Sequence, residues 1–216
     1  MPNLSVRVES AKAVPFAAVP TLSFPIDIRN SIEGETIHAI ALRSQIQIEV
    51  TRRTYSPQEQ GRLLDLFGQP DRWGRTLRNL LWTHASMVVP AFEGDQTVAE
   101  MNVPCTFDFN VAATKYFEGL DDGQIPLLAL FSGTVFYATP DSSLQVAPIS
   151  WELEARSRLP VAVWREMMGS YYPNSVWLNL RKDVFEQLYQ YKVAHGIPTW
   201  EQALERMLAN ETAVHS

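Results

Sequence analysis

The chain has little cysteine, no long run of one charge and no long apolar run, and each absence excludes a class of protein. One cysteine stands in 216 residues, which excludes an internal disulfide and a cysteine-rich zinc or iron–sulfur site. The net charge is −6 without a clustered basic stretch, which argues against nucleic-acid binding. No window reaches the roughly 20 apolar residues of a membrane-spanning helix. The amino terminus shows no signal peptide, so the sequence predicts a cytoplasmic protein.

Catalytic and metal-binding motifs are missing as well. The histidines fall in no H-x-x-x-H or H-E-x-x-H spacing, and no phosphate-binding or dinucleotide-binding loop is present. Ser132 precedes Gly133, but residue 130 is Leu, so the G-x-S-x-G nucleophile elbow is absent. Cys105 lies on the apolar face of an alternating segment, where a free thiol is inert. We therefore predict no catalytic residue, no cofactor and no metal.

Alternation of apolar and polar residues predicts β-strands in the first three quarters of the chain. The clearest run covers residues 38–50, where Ile40, Leu42 and Ile46 share one face. Further strands are predicted at 4–8, 22–28, 83–90, 101–113, 125–137 and 144–155. Asp121-Asp122-Gly123 predicts a hairpin turn between 101–113 and 125–137. About seven strands without strand–helix–strand repetition favour an antiparallel, immunoglobulin-like β-sandwich.

Helical signals interrupt the strands once and replace them at the carboxyl end. Ser56-Pro57-Gln58-Glu59 is a capping box with Pro at the first helical position, and a second short helix is predicted at 75–81. From Leu159 the apolar period becomes helical, with helices expected at 160–169, at 181–194 and after Thr199. The sequence thus predicts a β-sandwich over 1–157 with a helical insertion at 56–82. A C-terminal helical subdomain over 158–216 is expected to pack on it.

The strand predicted at 125–137 is apolar on both faces, so each face needs a cover. A sandwich covers one face of each sheet, which leaves Leu128, Leu130 and Phe136 without a neighbour. The C-terminal helices are the expected cover, with Trp164, Met167 and Met168 on their inward side. If these helices pack elsewhere, the outer face of the strand becomes the best candidate for a partner-binding surface.

The segment WELEARSR is the first candidate for binding a partner. Glu152, Glu154, Arg156 and Arg158 are spaced two apart, so a continuous strand would place them on one face. Because the carboxylates run directly into two arginines, a solvated or partner-facing ladder of ion pairs is the favoured interpretation. Paired carboxylates that act as general acid and base are the alternative.

The aromatic segment 171–177 is the second candidate. It carries Tyr171, Tyr172 and Trp177, and tyrosine and tryptophan near a surface are common anchors of protein interfaces. The alternative is that these rings seal the join between the helices and the sandwich. The sequence leaves both interpretations open.

Several strings together indicate a family resemblance. They are PTLSF at 20–24, ALRSQIQIE at 41–49, LLDLFG at 63–68, RWGRTLR at 72–78, LLWTH at 80–84, VPCTFDF at 103–109, IPLLALFSGTVFY at 125–137 and LPVAVWREMM at 159–168. On these strings the chain resembles, over nearly its whole length, an uncharacterised bacterial family classed as a domain of unknown function. The resemblance implies genes beside those of actinobacterial-type [NiFe] uptake hydrogenases and their maturation factors. It supplies no catalytic residues.

Two functional hypotheses follow. The first is a non-catalytic accessory or scaffold protein that binds another protein, with a hydrogenase subunit or maturation factor as the partner implied by the resemblance. The second is a small-ligand-binding protein or enzyme with a pocket between the sandwich and the C-terminal helices. In that case His84, Glu152 or Glu154 would converge in space.

Overall fold

Nine strands form two antiparallel sheets in the part of the chain that the computed structural model describes, residues 2–32, 35–92, 94–106, 111–139, 141, 143–176 and 178–214. The strands are β1 (Leu4–Val8), β2 (Lys12–Ala13), β3 (Thr21–Asn30), β4 (Thr36–Ile48), β5 (Leu80–Val89), β6 (Gln96–Pro104), β7 (Gln124–Ala138), β8 (Leu144–Pro148) and β9 (Glu154–Pro160). Sheet A contains β1, β2, β3 and β6, and sheet B contains the other five. The prediction of a mainly antiparallel β protein is confirmed.

Both sheets contribute their apolar faces to a shared core. Leu22 and Ile26 alternate inward on β3, and Ile40 does so on β4. The ring of Phe24 on β3 meets the ring of Trp82 on β5 edge-on, with centroids 6.1 Å apart. This aromatic contact joins the two sheets through side chains.

The chain clusters into two compact units, Met1–Asn174 and Ser175–Ser216, whereas the sequence predicted parts at 1–157 and 158–216. Helix α5 (Val161–Tyr171) accounts for the difference. Its Trp164, Met167 and Met168 are buried in the core of the first unit. The predicted inward face of this helix is therefore confirmed, and the helix follows β9 without a break.

Three short helices separate β4 from β5: α1 (Pro57–Arg62), α2 (Leu64–Phe67) and α3 (Trp73–Thr76). The predicted capping box is present. The Glu59 amide donates to Ser56 Oγ at 3.2 Å, and the Ser56 amide donates to Glu59 Oε2 at 2.9 Å. Gly68 ends α2 at φ +70°, a backbone conformation that glycine adopts without steric cost.

The predicted helix at 75–81 is wrong. Helix α3 already ends at Thr76, and β5 begins at Leu80. Trp82 and Ala85 point into the core while His84 and Ser86 are exposed, so the pairing of β5 with β4 decides the backbone conformation here. The helical part of the insertion is correspondingly shorter than 56–82.

The predicted strand at 101–113 is wrong beyond Pro104. Residues 107–110 lie outside the described part of the chain, and Val111–Gly119 form helix α4. Ala113, Tyr116 and Phe117 are buried, which is the i, i+3, i+4 spacing of a helix face. The Asp121-Asp122-Gly123 turn therefore joins α4 to β7, and β6 pairs with β3 rather than with β7.

Strand β7 is the centre of sheet B. One of its edges pairs with β4 from Leu127 to Ala138, and the other edge pairs with β9 near its start and with β8 near its end. The predicted strand at 144–155 is thus two strands with a turn between them. At Gly133 the backbone has φ +143°, and an added Cβ would overlap the carbonyl oxygen of Ala41 on β4, so this position requires glycine.

The outer face of β7 is not covered by α5. Leu128 is 8% exposed, Leu130 is half-buried and Phe136 is 36% exposed. The strand register places Gln47 of β4 and Arg156 of β9 on either side of Leu128, so long polar side chains are its neighbours on this face. The expected cover by Trp164, Met167 and Met168 is wrong, because these side chains lie in the shared core with Phe117.

The second unit contains two helices, α6 (Lys182–Ala194) and α7 (Trp200–Val214). The Gln202 amide donates to Thr199 Oγ1 at 3.2 Å, as the predicted cap requires. The ring of Trp200 lies 5.3 Å from that of Phe185 and 6.3 Å from that of Tyr189, between centroids. None of the helices in the described ranges has the length and apolarity to span a membrane.

Candidate functional site

A groove with a volume of about 360 Å³ lies where the beginning of β7 meets the end of β9. We call it the arginine groove. Its lining residues are Glu49, Arg52, Gln124, Pro126, Arg156, Ser157 and Arg158.

Backbone pairing fixes the walls of the arginine groove. Pro126 of β7 lies opposite Arg158 of β9. The Glu49 amide, directly after β4, donates to the carbonyl oxygen of Pro126 at 2.9 Å. A single 3-10 turn, Val50–Arg52, then carries Arg52 to the groove. Three strands therefore meet here, although they are far apart in sequence.

The alternation of β9 directs its charged side chains away from the core. Ala155 and Leu159 are buried, whereas Glu154, Arg156 and Arg158 are exposed. Because successive residues of a strand point to opposite faces, the three charged residues share one face, as predicted.

Glu49 is the negative centre of the groove. The residue is 6% exposed, and its carboxylate accepts from Arg52 Nη1 at 3.3 Å and from Arg156 Nε at 3.3 Å. Arg156 Nη1 also donates to Glu154 Oε1 at 2.8 Å. The charge of Glu49, followed by the hydrogen bonds to Glu154 and Glu49, raises the pKa of the Arg156 guanidinium above its ordinary value. Arg156 is therefore a fixed cation that already has partners.

Arg158 differs from the other two arginines of the groove. It is exposed, and it forms no hydrogen bond or ion pair with the residues that the structure describes. Three arginines and one glutamate thus line the groove in a chain whose net charge is −6. Guanidinium groups bind carboxylates and phosphates through two parallel hydrogen bonds, so this arrangement suits an anion.

A second charged cluster, formed by Arg53 and Glu59, contacts the groove wall at Gln124. Arg53 Nη2 lies 2.7 Å from Glu59 Oε1, with side chains only 8% and 5% exposed. Arg53 also donates to the carbonyl oxygens of Asp122 and Gln124 at 2.7 and 2.9 Å. The Asp121 amide donates to Glu59 at 2.9 Å. The buried pair thereby ties helix α1 to the turn before β7 and holds Gln124, one wall of the groove.

The structure brings together some of the predicted site residues and separates others. Glu154 lies beside the groove and Arg156 and Arg158 line it, but Glu152 is exposed in the preceding turn, where its amide donates to Ser150 Oγ at 3.3 Å.

Tyr171 and Tyr172 do not line the arginine groove. Tyr171 and Tyr172 are half-buried at the end of α5, and the Tyr171 hydroxyl donates to the carbonyl oxygen of Ala17 at 2.6 Å. Trp177 lies outside the described residues. Of the two interpretations left open by the sequence, Tyr171 fits the one in which the ring seals the join between a helix and the sheets, because its hydroxyl holds the loop between β2 and β3.

The alternative acid–base cluster does not form. His84 pairs with Gln45, Gln45 with Leu130, and Leu130 with Glu154. His84 and Glu154 are therefore three strand spacings apart, about 14 Å, and both are exposed. In the described ranges, His, Cys, Asp and Glu also form no group of three that could hold a metal ion.

Sequence reasoning missed Glu49, Arg52 and Gln124. The available signal was the string EVTRR at 49–53, a cluster of charges directly after the clearest strand. Its meaning depends on the pairing of β4 with β7 and of β7 with β9. That pairing brings Glu49 next to Arg156, 107 positions later.

The fold and the groove define an antiparallel β protein with a basic recess beside β9. The chain belongs to the family described as Family of unknown function (DUF6084), whose model matches residues 1–216. No curated protein matches the chain.

Three solved structures are similar to parts of the chain. The CARDB domain of the PF1109 protein from Pyrococcus furiosus is 10% identical, with coverage of 74% of this chain and 92% of that one and a TM-score of 0.29. A protein described as late embryogenesis abundant (LEA) is 13% identical, with coverage of 74% and 72% and a TM-score of 0.34. A protein from Bordetella pertussis described as ApaA is 12% identical, with coverage of 73% and 93% and a TM-score of 0.25. Similarity this low says nothing about function.

Proposed function

We propose that this chain is a non-catalytic accessory protein that binds another protein and receives an acidic segment of that partner in the arginine groove. The observation that carries the proposal is Arg158, a free guanidinium beside the partnered Arg52 and Arg156. A carboxylate in the groove would gain charge-assisted hydrogen bonds from Arg158 without displacing Glu49. The net charge of −6 makes this local excess of positive charge a feature specific to the groove.

The outer face of sheet B also carries exposed apolar side chains, but they lie about ten residues further along β7, roughly 30 Å from the groove. Phe136 and Val146 lie opposite each other on β7 and β8, and both are exposed, as is Val88 on β5. Exposed apolar residues next to charged ones are typical of protein interfaces. A partner that covers this whole face of sheet B would place an acidic segment in the groove at one end and bury these side chains at the other.

The partner class comes from the sequence resemblance. The family context suggests a [NiFe] hydrogenase subunit or one of its maturation factors, met in the bacterial cytoplasm, with this chain assisting assembly or maturation. The accompanying proposal for the fold is an immunoglobulin-like sandwich with a C-terminal helical subdomain packed on it. The family resemblance supports the proposed partner class, and the two antiparallel sheets support the proposed fold.

The direct test measures binding of a glutamate-rich peptide to the full chain by fluorescence polarisation. A matched peptide with glutamine in place of glutamate is the control ligand. We expect Arg158→Glu to weaken binding of the acidic peptide by about 10- to 100-fold, and added salt to weaken wild-type binding. Arg75→Glu carries the same charge change on exposed Arg75 of α3 and should bind like wild type.

Affinity purification from native cells tests the partner itself. Wild-type protein and Arg75→Glu should recover the same acidic partner, and Arg158→Glu should lose it. The proposal fails if all three recover the same proteins, or if wild type recovers nothing but itself.

A small anionic ligand is the second candidate function, and the volume of the groove favours it. About 360 Å³ is at the lower end of the range for small-molecule sites, which suits a compact carboxylate or phosphate compound. Citrate or inorganic phosphate at constant ionic strength would then raise the melting temperature of wild type but not of Arg158→Glu. Stabilisation by these anions, with no binding of the acidic peptide, would replace the first proposal with this one.

A further inference from the structure

Phe16 is an exposed aromatic residue in a conformation that aromatic residues avoid. It lies on the loop between β2 and β3, its side chain is fully exposed, and its φ is +55°. The left-handed region is unfavourable for residues with a Cβ, and a bulky residue there is a genuine outlier. Because the ring is fully exposed, burial within the protomer does not offset this cost. Such strain is typical of positions that serve a function.

The loop holds Phe16 in a fixed position. The Val14 amide donates to the carbonyl oxygen of Thr21 at 2.9 Å, which closes the hairpin. The Tyr171 hydroxyl donates to the carbonyl oxygen of Ala17 at 2.6 Å, which attaches the loop to α5. A ring presented on a pinned loop loses little entropy when it binds.

The same molecule contains an apolar slot of the size of a phenyl ring. The slot has a volume of about 160 Å³ and lies between the sheets, with Leu4 from β1 on one side. Val135 and Ala147 line it from sheet B and Leu153 lines it from the turn before β9, while the exposed Ser150 lies at its mouth. Apolar cavities of about 150 Å³ are large enough to bind benzene.

The ring and the slot are at opposite ends of one sheet edge. Strand β6 pairs along one edge of β3, so β1 and β2 pair along the other. Leu4 lies opposite Asn30 and Ala13 lies opposite Leu22, so the slot and the Phe16 loop are separated by most of the length of β3, roughly 30 Å. A protomer therefore cannot place Phe16 in its own slot. Two protomers whose sheet edges run in opposite directions could each place Phe16 in the slot of the other.

We propose that the chain forms a twofold dimer in which Phe16 of each protomer occupies the slot of the other. A twofold axis makes the contact reciprocal, so both rings and both slots are used and the assembly closes. A single buried ring offsets less of the entropy lost on association than two rings do. A dimer of wild-type affinity therefore requires both contacts. The proposal is independent of the arginine groove.

Sedimentation equilibrium of the full chain over a range of concentrations tests the proposal. Wild type should pass from monomer to dimer as the concentration rises. Phe16→Asn should weaken dimerisation by about 100-fold or more, because each dimer loses two buried rings. Its melting temperature, measured on the monomer, should not fall, since asparagine tolerates positive φ. Val98→Asn, which removes an exposed apolar side chain from β6, should dimerise like wild type.

A complementation experiment tests the slot separately. Ser150→Phe should fill the mouth of the slot and leave Phe16 intact, so this variant alone should be monomeric. Mixed with Phe16→Asn, it should form a one-to-one pair that neither variant forms alone, although more weakly than wild type because one contact remains. A monomeric wild type, an open series of higher oligomers, or unchanged dimerisation of Phe16→Asn would each overturn the proposal.

Discussion

The hydroxyl of Tyr116 donates a hydrogen bond to the hydroxyl oxygen of Tyr55, at a distance of 2.9 Å between the two oxygens. The direction follows from a third group, because the Tyr55 hydroxyl lies 2.7 Å from the carbonyl oxygen of Val50, which can only accept. Both tyrosines are buried. The pair fixes the 3-10 turn that carries Arg52 to the arginine groove.

Removing the Tyr55 hydroxyl should cost more stability than removing that of Tyr116. Tyr55→Phe leaves the Val50 carbonyl and the Tyr116 hydroxyl without partners, at a cost of about 2–3 kcal/mol, whereas Tyr116→Phe leaves only the Tyr55 oxygen, at about 1 kcal/mol. Urea denaturation of the two variants measures the difference. Equal losses would contradict the assigned direction of the hydrogen bond.

The tyrosine pair should also make the protein sensitive to alkali. Burial, which outweighs the hydrogen bond to Tyr55, raises the pKa of Tyr116 to about 12, and burial raises the pKa of Tyr55 as well. Because the pKa of each tyrosine is higher in the folded state, the buried neutral hydroxyls contribute their full stabilisation below the unfolded pKa near 10. That contribution is lost as the pH rises through the folded value. Phenolate absorbance and unfolding should therefore appear together for these two residues, and Tyr116→Phe should lessen the loss of stability above pH 10.

The buried ion pair of Arg53 and Glu59 should be essential for stability. Glu59→Gln leaves the Arg53 charge buried without its counter-ion, which we expect to cost about 3 kcal/mol or more. Asp65→Asn is the matched control, because Asp65 forms an exposed pair with Lys115 at 3.7 Å, and it should change stability by less than about 1 kcal/mol. Chemical denaturation of both variants measures these values.

Glu59 should make the protein less stable as the pH falls into the acid range. Burial alone would raise the pKa of its carboxyl group, but hydrogen bonds from the Asp121 and Ser56 amides and from Arg53 outweigh burial and lower that pKa. Its stabilising contribution is therefore complete above the unfolded value near 4.3 and is lost as the pH falls through the lower folded value. Glu59→Gln should lack this part of the pH dependence, so a variant that loses stability below pH 4 as steeply as wild type would contradict the assignment.

Two glycines should respond to the same substitution in opposite directions. Gly133→Ala places a methyl group on the Ala41 carbonyl oxygen at a backbone position that excludes side chains, and we expect a loss of at least about 3 kcal/mol. Gly169 lies inside α5 with no atom within 4 Å of an added Cβ, so Gly169→Ala should gain about 1 kcal/mol. Thermal denaturation compares the two. Similar stabilities would show that β7 and β4 can separate locally.

The single thiol should be unreactive in the folded protein. Burial raises the pKa of the Cys105 thiol to about 12, so it stays protonated at the pH of ordinary labelling reactions. Alkylation by iodoacetamide should follow the unfolding of the chain, and rapid labelling in native buffer would contradict the buried position.

Local signals were readable from the sequence, and long-range pairings were not. The capping box of Ser56 and Glu59 depends on neighbouring residues, so it could be predicted. Residues 101–113 alternate like a strand, yet Tyr116 and Phe117, which reveal the helix, come after the alternating run. The arginine groove depends on which strands pair. Glu49 and Arg156 gave no signal of each other, so only Arg156 and Arg158, two of the four charged residues that line the groove, were predicted.

The pairing of β4 with β7 at the centre of sheet B has a consequence for protein synthesis. Thr36 pairs with Ala138 and Ile48 with Leu127, so β4 leaves the ribosome long before its second neighbour exists. Until β7 emerges, β5 is the only partner strand that sheet B can offer β4 in the described chain, and one edge of β4 stays open to other chains. Folding dominated by such distant contacts is slow. The nascent chain is therefore most prone to aggregate during translation of the segment between β5 and β7, and this is the interval in which a chaperone would have its largest effect.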